Sequence, residues 1–220
     1  TTSYTVAPGD TLSVIAARYG TSVEAIMALN GMTNPDALAA GQTLTLQAPV
    51  QGDGPALPVL PDAELVYGPA YHGFDAAAFV ASRGGALAAW TEDVNGETLT
   101  GPSIVARVVD EFSIGPRALL AVLEAKSGIV TGPARTAELA DYPAGMIDPA
   151  RHGLWLQLNW LADRLNGGYY DAKTRGSRVL TFTNGVRLNA HPTLGPGSVA
   201  VLRVLGLTTT PDALPADVAA

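Results

Sequence analysis

The stretch from Pro116 to Gly128 leaves the chain few choices. Pro116 suits a first helical position and Gly128 the residue just past a helix end. Between them Ala118 to Ala125 is apolar except for Glu124. A helix apolar nearly all round is buried on most sides, so this one is expected at the centre of a core. Glu124 is then a carboxylate in a place where carboxylates seldom go unpartnered. Either it is paired, or it opens into a cleft.

A chain of 220 residues has room for one domain or two. Charged residues are 15% and the net charge is -7, a globular and acidic balance that argues against a nucleic-acid partner. There is no cysteine, so neither a disulfide nor a thiolate metal site. His72, His152 and His191 lie far apart and form no ligand pattern, so no metal and no cofactor is expected. No apolar run approaches the roughly 18–20 residues of a membrane span. The opening Thr1-Thr2-Ser3 reads as that of a mature chain whose signal peptide has been removed.

The first fifty residues read strand, helix, helix, strand. Tyr4-Thr5-Val6 alternates, and Ala7 to Asp10 is a turn. Asp10 or Thr11 caps a helix with Leu12, Ile15, Ala16 and Tyr19 on one face, ended by Gly20. Ser22 caps a second helix, with Ile26 and Leu29 inward, that stops at Asn30-Gly31. After a turn at Asn34-Pro35-Asp36, Gly41 to Leu46 alternates again. This stretch resembles a LysM domain through Tyr4-Thr5-Val6, Gly9-Asp10-Thr11-Leu12, Ile15-Ala16, Tyr19-Gly20, Ile26, Leu29-Asn30 and Gly41-Gln42 with Leu44 and Leu46. The resemblance implies binding of glycans that contain N-acetylglucosamine, such as peptidoglycan or chitin. It places the groove between Gly9, Asp10, Thr11, Leu12 and Asn34, Pro35, Asp36, Leu38, with Leu12 and Leu38 offered to sugar faces.

Residues 48–62 carry four prolines and two glycines and are expected to be an extended linker. Beyond it the pattern is mostly helical. Asp75 caps a helix through Ala81, Ala86 to Asp93 reads as another turn or two of helix, and Asn95-Gly96 marks a turn. Ser103 to Phe112 has Ile104, Val105, Val108, Val109 and Phe112 at helical spacing. A long Pro/Gly loop spans 132–149. Leu154 to Leu165 is a helix ended by Asn166-Gly167-Gly168, Val179 to Leu188 a hairpin on Asn184-Gly185, and Ser198 to Leu205 a last helix. The tail from Thr208 reads as irregular.

Gly115 to Ala121, followed by Glu124 and Ser127-Gly128, resembles the first motif of the lysozyme-like superfamily, especially soluble lytic transglycosylases and goose-type lysozymes. Gly153 to Leu158 is similar to its second motif and Asn166 to Tyr170 to its tyrosine-containing third. In that family the catalytic glutamate immediately precedes the motif serine; here that place holds Lys126, and Glu124 lies two residues earlier. The resemblance implies Glu124 as general acid, with Gln157, Tyr169 and Tyr170 lining a sugar cleft. The residues alone point rather to a paired structural carboxylate, with Arg117 and Arg107 as partners.

The expected fold class is α+β: a small βααβ LysM domain at 1–47, a linker at 48–62, a larger mainly α-helical lysozyme-like domain with a β-hairpin at 63–207, and a tail at 208–220. The expected function is a secreted bacterial protein of the cell wall or surface that binds peptidoglycan or chitin-type glycan, its larger domain binding or cleaving glycan. The alternative is a non-catalytic surface protein whose copies assemble through linker and tail into a filament or layer. Lys126 in the motif and the abundance of Ala, Pro and Gly favour that alternative.

Overall fold

A computed structural model describes residues 1–19, 21–47, 50–54, 56–66 and 73–219. Gly20, His72, Ala48, Pro49 and Pro55 of the sequence reading lie outside the described residues. The fold is α+β, with two separate hydrophobic cores.

The first core belongs to a βααβ unit. Strands β1 (Thr2–Thr5) and β2 (Thr43–Leu46) pair antiparallel, from Thr2 opposite Leu46 to Thr5 opposite Thr43. Alternation in β2 sends Leu44 and Leu46 inward. They meet Leu12, Ile15 and Ala16 of α1 (Leu12–Tyr19) and Ile26 of α2 (Val23–Leu29). Ser22 caps α2 through the Ala25 amide. Leu29, expected inward, is 41% exposed. Asn30 takes the place beside β2 instead, its side-chain amide donating to Thr45 O and accepting from Thr45 N.

The second core is built on α5 (Gly101–Phe112), α6 (Pro116–Ser127), α8 (Leu154–Arg175) and α9 (Pro196–Gly206). Around these lie β3 (Val50–Asp53), α3 (Ala76–Arg83), α4 (Ala86–Ala89), β4 (Thr91–Val94), β5 (Glu97–Thr100), α7 (Ala137–Asp141), β6 (Val179–Thr181), β7 (Arg187–Asn189) and α10 (Leu214–Ala219). Helix α6 runs over the expected span and buries Ala118, Leu119, Leu120, Val122 and Leu123. Its exposed ridge carries Arg117 and Ala121.

Four expectations are corrected. Residues 91–94 are not helical: they pair with 97–100 across the Asn95-Gly96 turn. Helix α8 does not stop at Asn166-Gly167-Gly168 but runs through to Arg175. Gly168 lets α9 come close: a Cβ there would lie 3.2 Å from Ala200 Cα. Linker residues Val50–Asp53 form a strand that pairs parallel with β7, at the edge of a sheet ordered β3-β7-β6. The tail is not irregular, since α10 buries Leu214 completely. Leu57, Val59, Leu60 and Val218 also pack on the second core. Part of the apolar surface that motivated assembly through linker and tail is thus covered by the chain itself.

Candidate functional site

Two regions gather the residues singled out by sequence. The first is the pair of loops at one end of the βααβ unit. Val6 N donates to Gln42 O, and Gly41 N to Val6 O, each at 2.8 Å, so the loop leaving β1 and the loop entering β2 run side by side. Gly9 and Gly41, at φ +88° and +84°, make the turns that this requires. Asp10 fixes the first loop. Its Oδ2 accepts from Ala7 N at 2.9 Å and from the Tyr4 hydroxyl. Arg18 donates to Tyr4 Oη at 2.9 Å and stands 4.0 Å from Asp10 Oδ1. The Tyr4 hydrogen bond, then the Ala7 amide, hold the Asp10 carboxyl below its usual range. That same hydrogen bond, then burial, push the Tyr4 phenol up. Asn34 fixes the second loop by accepting from Asp36 N at 2.9 Å, and Gln42 Oε1 accepts from Ala39 N at 3.1 Å.

Gly9, Thr11, Asn34, Pro35 and Asp36 are exposed on these two loops, and Asp10 supports the first of them. Leu12 is elsewhere: at 3% exposure it belongs to the core. Leu38, half-buried against that core, is the apolar residue left at the loops.

The second region is the ridge of α6. Hollows of about 400 and 370 Å³ lie on either side of it, and both are lined by Arg117, Ala121 and Glu124. Glu124 Oε2 accepts from Val130 N at 2.9 Å and Thr131 N at 3.2 Å, and Oε1 from the Thr131 hydroxyl at 2.6 Å. The carboxylate thus closes the loop that follows α6. Of the two arginines expected beside it, Arg117 reaches Glu64 at 3.4 Å, and Arg107 reaches Glu97 and Glu111. Lys126, at the place of the family's glutamate, points to the C-terminal end of α9 and donates to Leu205 O and the Thr208 hydroxyl. A cation suits that end of a helix.

The expected cleft residues do not meet. Gln157 is fully buried, accepting from Ala144 N and Met146 N and donating to Met146 O and Arg151 O. All its capacity goes to holding the long loop. Tyr169 and Tyr170 lie three turns further along α8, roughly 18 Å away by helix rise. Tyr169 is buried and Tyr170 exposed. Sequence reading missed Glu92, whose Oε2 accepts from Leu154 N at 2.7 Å, Trp155 N at 3.3 Å and Trp90 Nε1 at 3.1 Å, and so caps α8. No local signal marks it, because Leu154 is 62 residues away.

The fold and loops define an α+β protein of two parts, a small βααβ module with two adjoining pinned loops and a larger helical body with its own core. Residues 58–219 match the family described as LasA, N-terminal domain, and the chain belongs to that family. Residues 4–47 match the LysM domain. The segment that resembles lysozyme-like proteins in its motifs thus falls within the LasA match. A relative named N-acetylmuramoyl-L-alanine amidase sle1, from Staphylococcus saprophyticus, is 65% identical over 33 residues, 15% of this chain. The chain spans about a tenth of that relative's length. No solved structure matches. Among the described residues no single helix is long and apolar enough to cross a membrane.

Proposed function

We propose that the chain is an extracellular or cell-wall protein that binds N-acetylglucosamine-containing glycan of the peptidoglycan or chitin type, and that the LysM loops do the binding. What supports this is the match of residues 4–47 to the LysM domain, with Val6 at the end of β1 hydrogen-bonded to Gly41 and Gln42 where the second loop enters β2. Their exposed backbone groups are suited to the acetamido groups of the sugar, and Leu38 to an apolar sugar face. The amidase relative, by its name, acts on N-acetylmuramoyl-L-alanine, which agrees with a wall glycan. Titration of the full chain with chitin oligomers and with muropeptides, followed by NMR, tests the reading. Amide shifts confined to 9–12 and 34–38 are expected with at least one ligand; none with either overturns it.

For the helical body the reading is binding without turnover. Glu124 borders two hollows, yet among the described residues its hydrogen bonds all close the 128–131 loop. If Glu124 were the acid, Glu124→Gln would cost about 10²–10⁴-fold in hydrolysis of purified peptidoglycan. The expected result is no turnover by the parent chain; turnover lost in the variant would restore the catalytic role.

A further inference from the structure

The turn between β4 and β5 holds chemistry that glycan binding does not use. The sequence has four Asn-Gly dipeptides, beginning at Asn30, Asn95, Asn166 and Asn184. In such a pair the side-chain amide carbon can close a five-membered ring with the next backbone nitrogen. Glycine, with no Cβ, leaves that approach open.

Three of the four are held by the fold. Asn30 Nδ2 donates to Ile26 O at 2.7 Å and Thr45 O at 2.8 Å, and its Oδ1 accepts from Thr45 N at 2.7 Å. Asn166 lies inside α8, where amide nitrogens are spent on the helix ladder, and its Nδ2 donates to Phe112 O at 2.7 Å. Asn184 Oδ1 accepts from Val186 N at 3.1 Å, and Gly185 N donates to the Phe182 carbonyl at 2.9 Å. Asn95 differs in each respect. It is exposed at the tip of the hairpin, and among the described residues its side chain makes no hydrogen bond. Its φ of +56° is one that residues other than glycine seldom take. Gly96 N donates to Asp93 Oδ1 at 2.9 Å, so the acceptor of its proton is a carboxylate, a base, where Phe182 offers a carbonyl.

We propose that Asn95 is a self-modifying site, converted to aspartate and isoaspartate with Asp93 as the base. Asp93 takes the proton from Gly96 N as that nitrogen attacks Asn95 Cγ. The new C–N bond closes a succinimide ring. The Cγ–Nδ2 bond breaks, and the proton passes to Nδ2 so that ammonia leaves. Water then opens the ring. Opening at Cγ gives aspartate; opening at the main-chain carbonyl gives isoaspartate, whose backbone is longer by a methylene. The balance is a water consumed and an ammonia released. Either product sets a new carboxylate near Asp93 and Glu97, and isoaspartate also breaks the two-residue turn that fixes the β4–β5 register. Strand β4 carries Glu92, the cap of α8, so conversion at the hairpin tip loosens that cap.

The test keeps the full chain in neutral buffer, folded or in urea. Peptide mapping by mass spectrometry, with isoaspartate labelling, follows all four dipeptides. In the folded chain residue 95 is expected to convert about tenfold faster or more than residues 30, 166 and 184, and in urea the four rates should draw together. Equal rates in the folded chain overturn the proposal. Asp93→Asn is expected to slow conversion about tenfold or more, and in the parent a carboxylate base makes the rate at 95 less steep in hydroxide when folded than in urea. A variant as fast as the parent, or equal steepness in the two states, removes Asp93 from the step. In converted chains the NMR amide signals of Leu154 and Trp155 are expected to move; signals that stay in place break the link to α8.

Discussion

A single carboxylate, that of Asp10, sets the shape of the loop between β1 and α1. Because its hydrogen bonds from Tyr4 and Ala7 favour the ionised form, its contribution to folding is full above the unfolded value of about 4 and fades as pH falls through the lower folded value. Tyr4 runs the other way. Its raised phenol contributes below the unfolded value of about 10, and the contribution is lost as pH rises through the folded one. Thermal melts of the LysM segment within the full chain, followed by its NMR signals, should therefore show an acid limb and an alkaline limb. Asp10→Asn is expected to flatten the acid limb, and Tyr4→Phe to remove the alkaline limb while moving the acid midpoint up. An unchanged profile in Asp10→Asn would show that the loop is held by something else. That Asp10 would turn or cap was legible, since an aspartate after a glycine turn does so locally. Its partner Arg18, fourteen residues from Tyr4, was not. The same limit explains Glu92, Gln157 and Lys126. Each is polar and satisfied largely by backbone or hydroxyl groups brought up by the fold, and composition cannot say which groups those will be.

At the level of elements, periodicity read the long apolar helices well. Helix α6 has its expected ends, and α5 differs from the expectation by two residues at its start. It failed where a residue type has two uses. Asn166-Gly167-Gly168 looks like a terminator, but an interior helical glycine also lets a neighbouring helix approach, and only the presence of α9 decides between them. The hairpin of β4 and β5 was missed because its eight strand residues carry two apolar side chains, Val94 and Leu99, too few to mark an alternation. The two glycines make opposite predictions. A Cβ at Gly167 meets nothing within 4 Å, so Gly167→Ala should stabilise by about 0.5–1 kcal/mol through helix propensity. A Cβ at Gly168 would press on Ala200 at 3.2–3.3 Å, so Gly168→Val should destabilise by about 1–3 kcal/mol. Urea unfolding of both variants checks this. A Gly168→Val chain as stable as the parent would mean that α8 and α9 are not tightly seated.

On the scale of the whole molecule, the two segments that read as loose are fasteners. In the linker, Asp62 Oδ1 accepts from Gly197 N at 2.7 Å, and the buried Ser198 hydroxyl joins Val59 N and Leu60 O, so the linker clamps the start of α9. In the tail, Thr209 O accepts from Thr183 N at 3.1 Å and Thr183 Oγ1 at 2.8 Å, tying the tail to the β6–β7 hairpin. Leu214, fully buried, then seats α10 against α6 and α9. Pro/Gly-rich and Ala/Pro-rich sequence showed that these segments would not extend a neighbouring helix; it could not show that Asp62 in the linker and Leu214 in the tail had a place waiting. The consequence is measurable, because Trp90, Trp155 and Trp160 all lie in the second core or against it and the LysM segment has none. Tryptophan fluorescence in urea therefore reports the helical body by itself. Leu214→Ala should cost about 2–5 kcal/mol, as large-to-small changes at buried leucines do. Removing residues 208–220 should cost at least as much, since the Thr209 hydrogen bonds to the hairpin go too. Both changes should lower the fluorescence midpoint and leave the NMR spectrum of the LysM loops in place. A truncated chain that unfolds at the parent's midpoint would show that the tail contributes nothing to its own domain, and would return it to the role of a free segment available to neighbours.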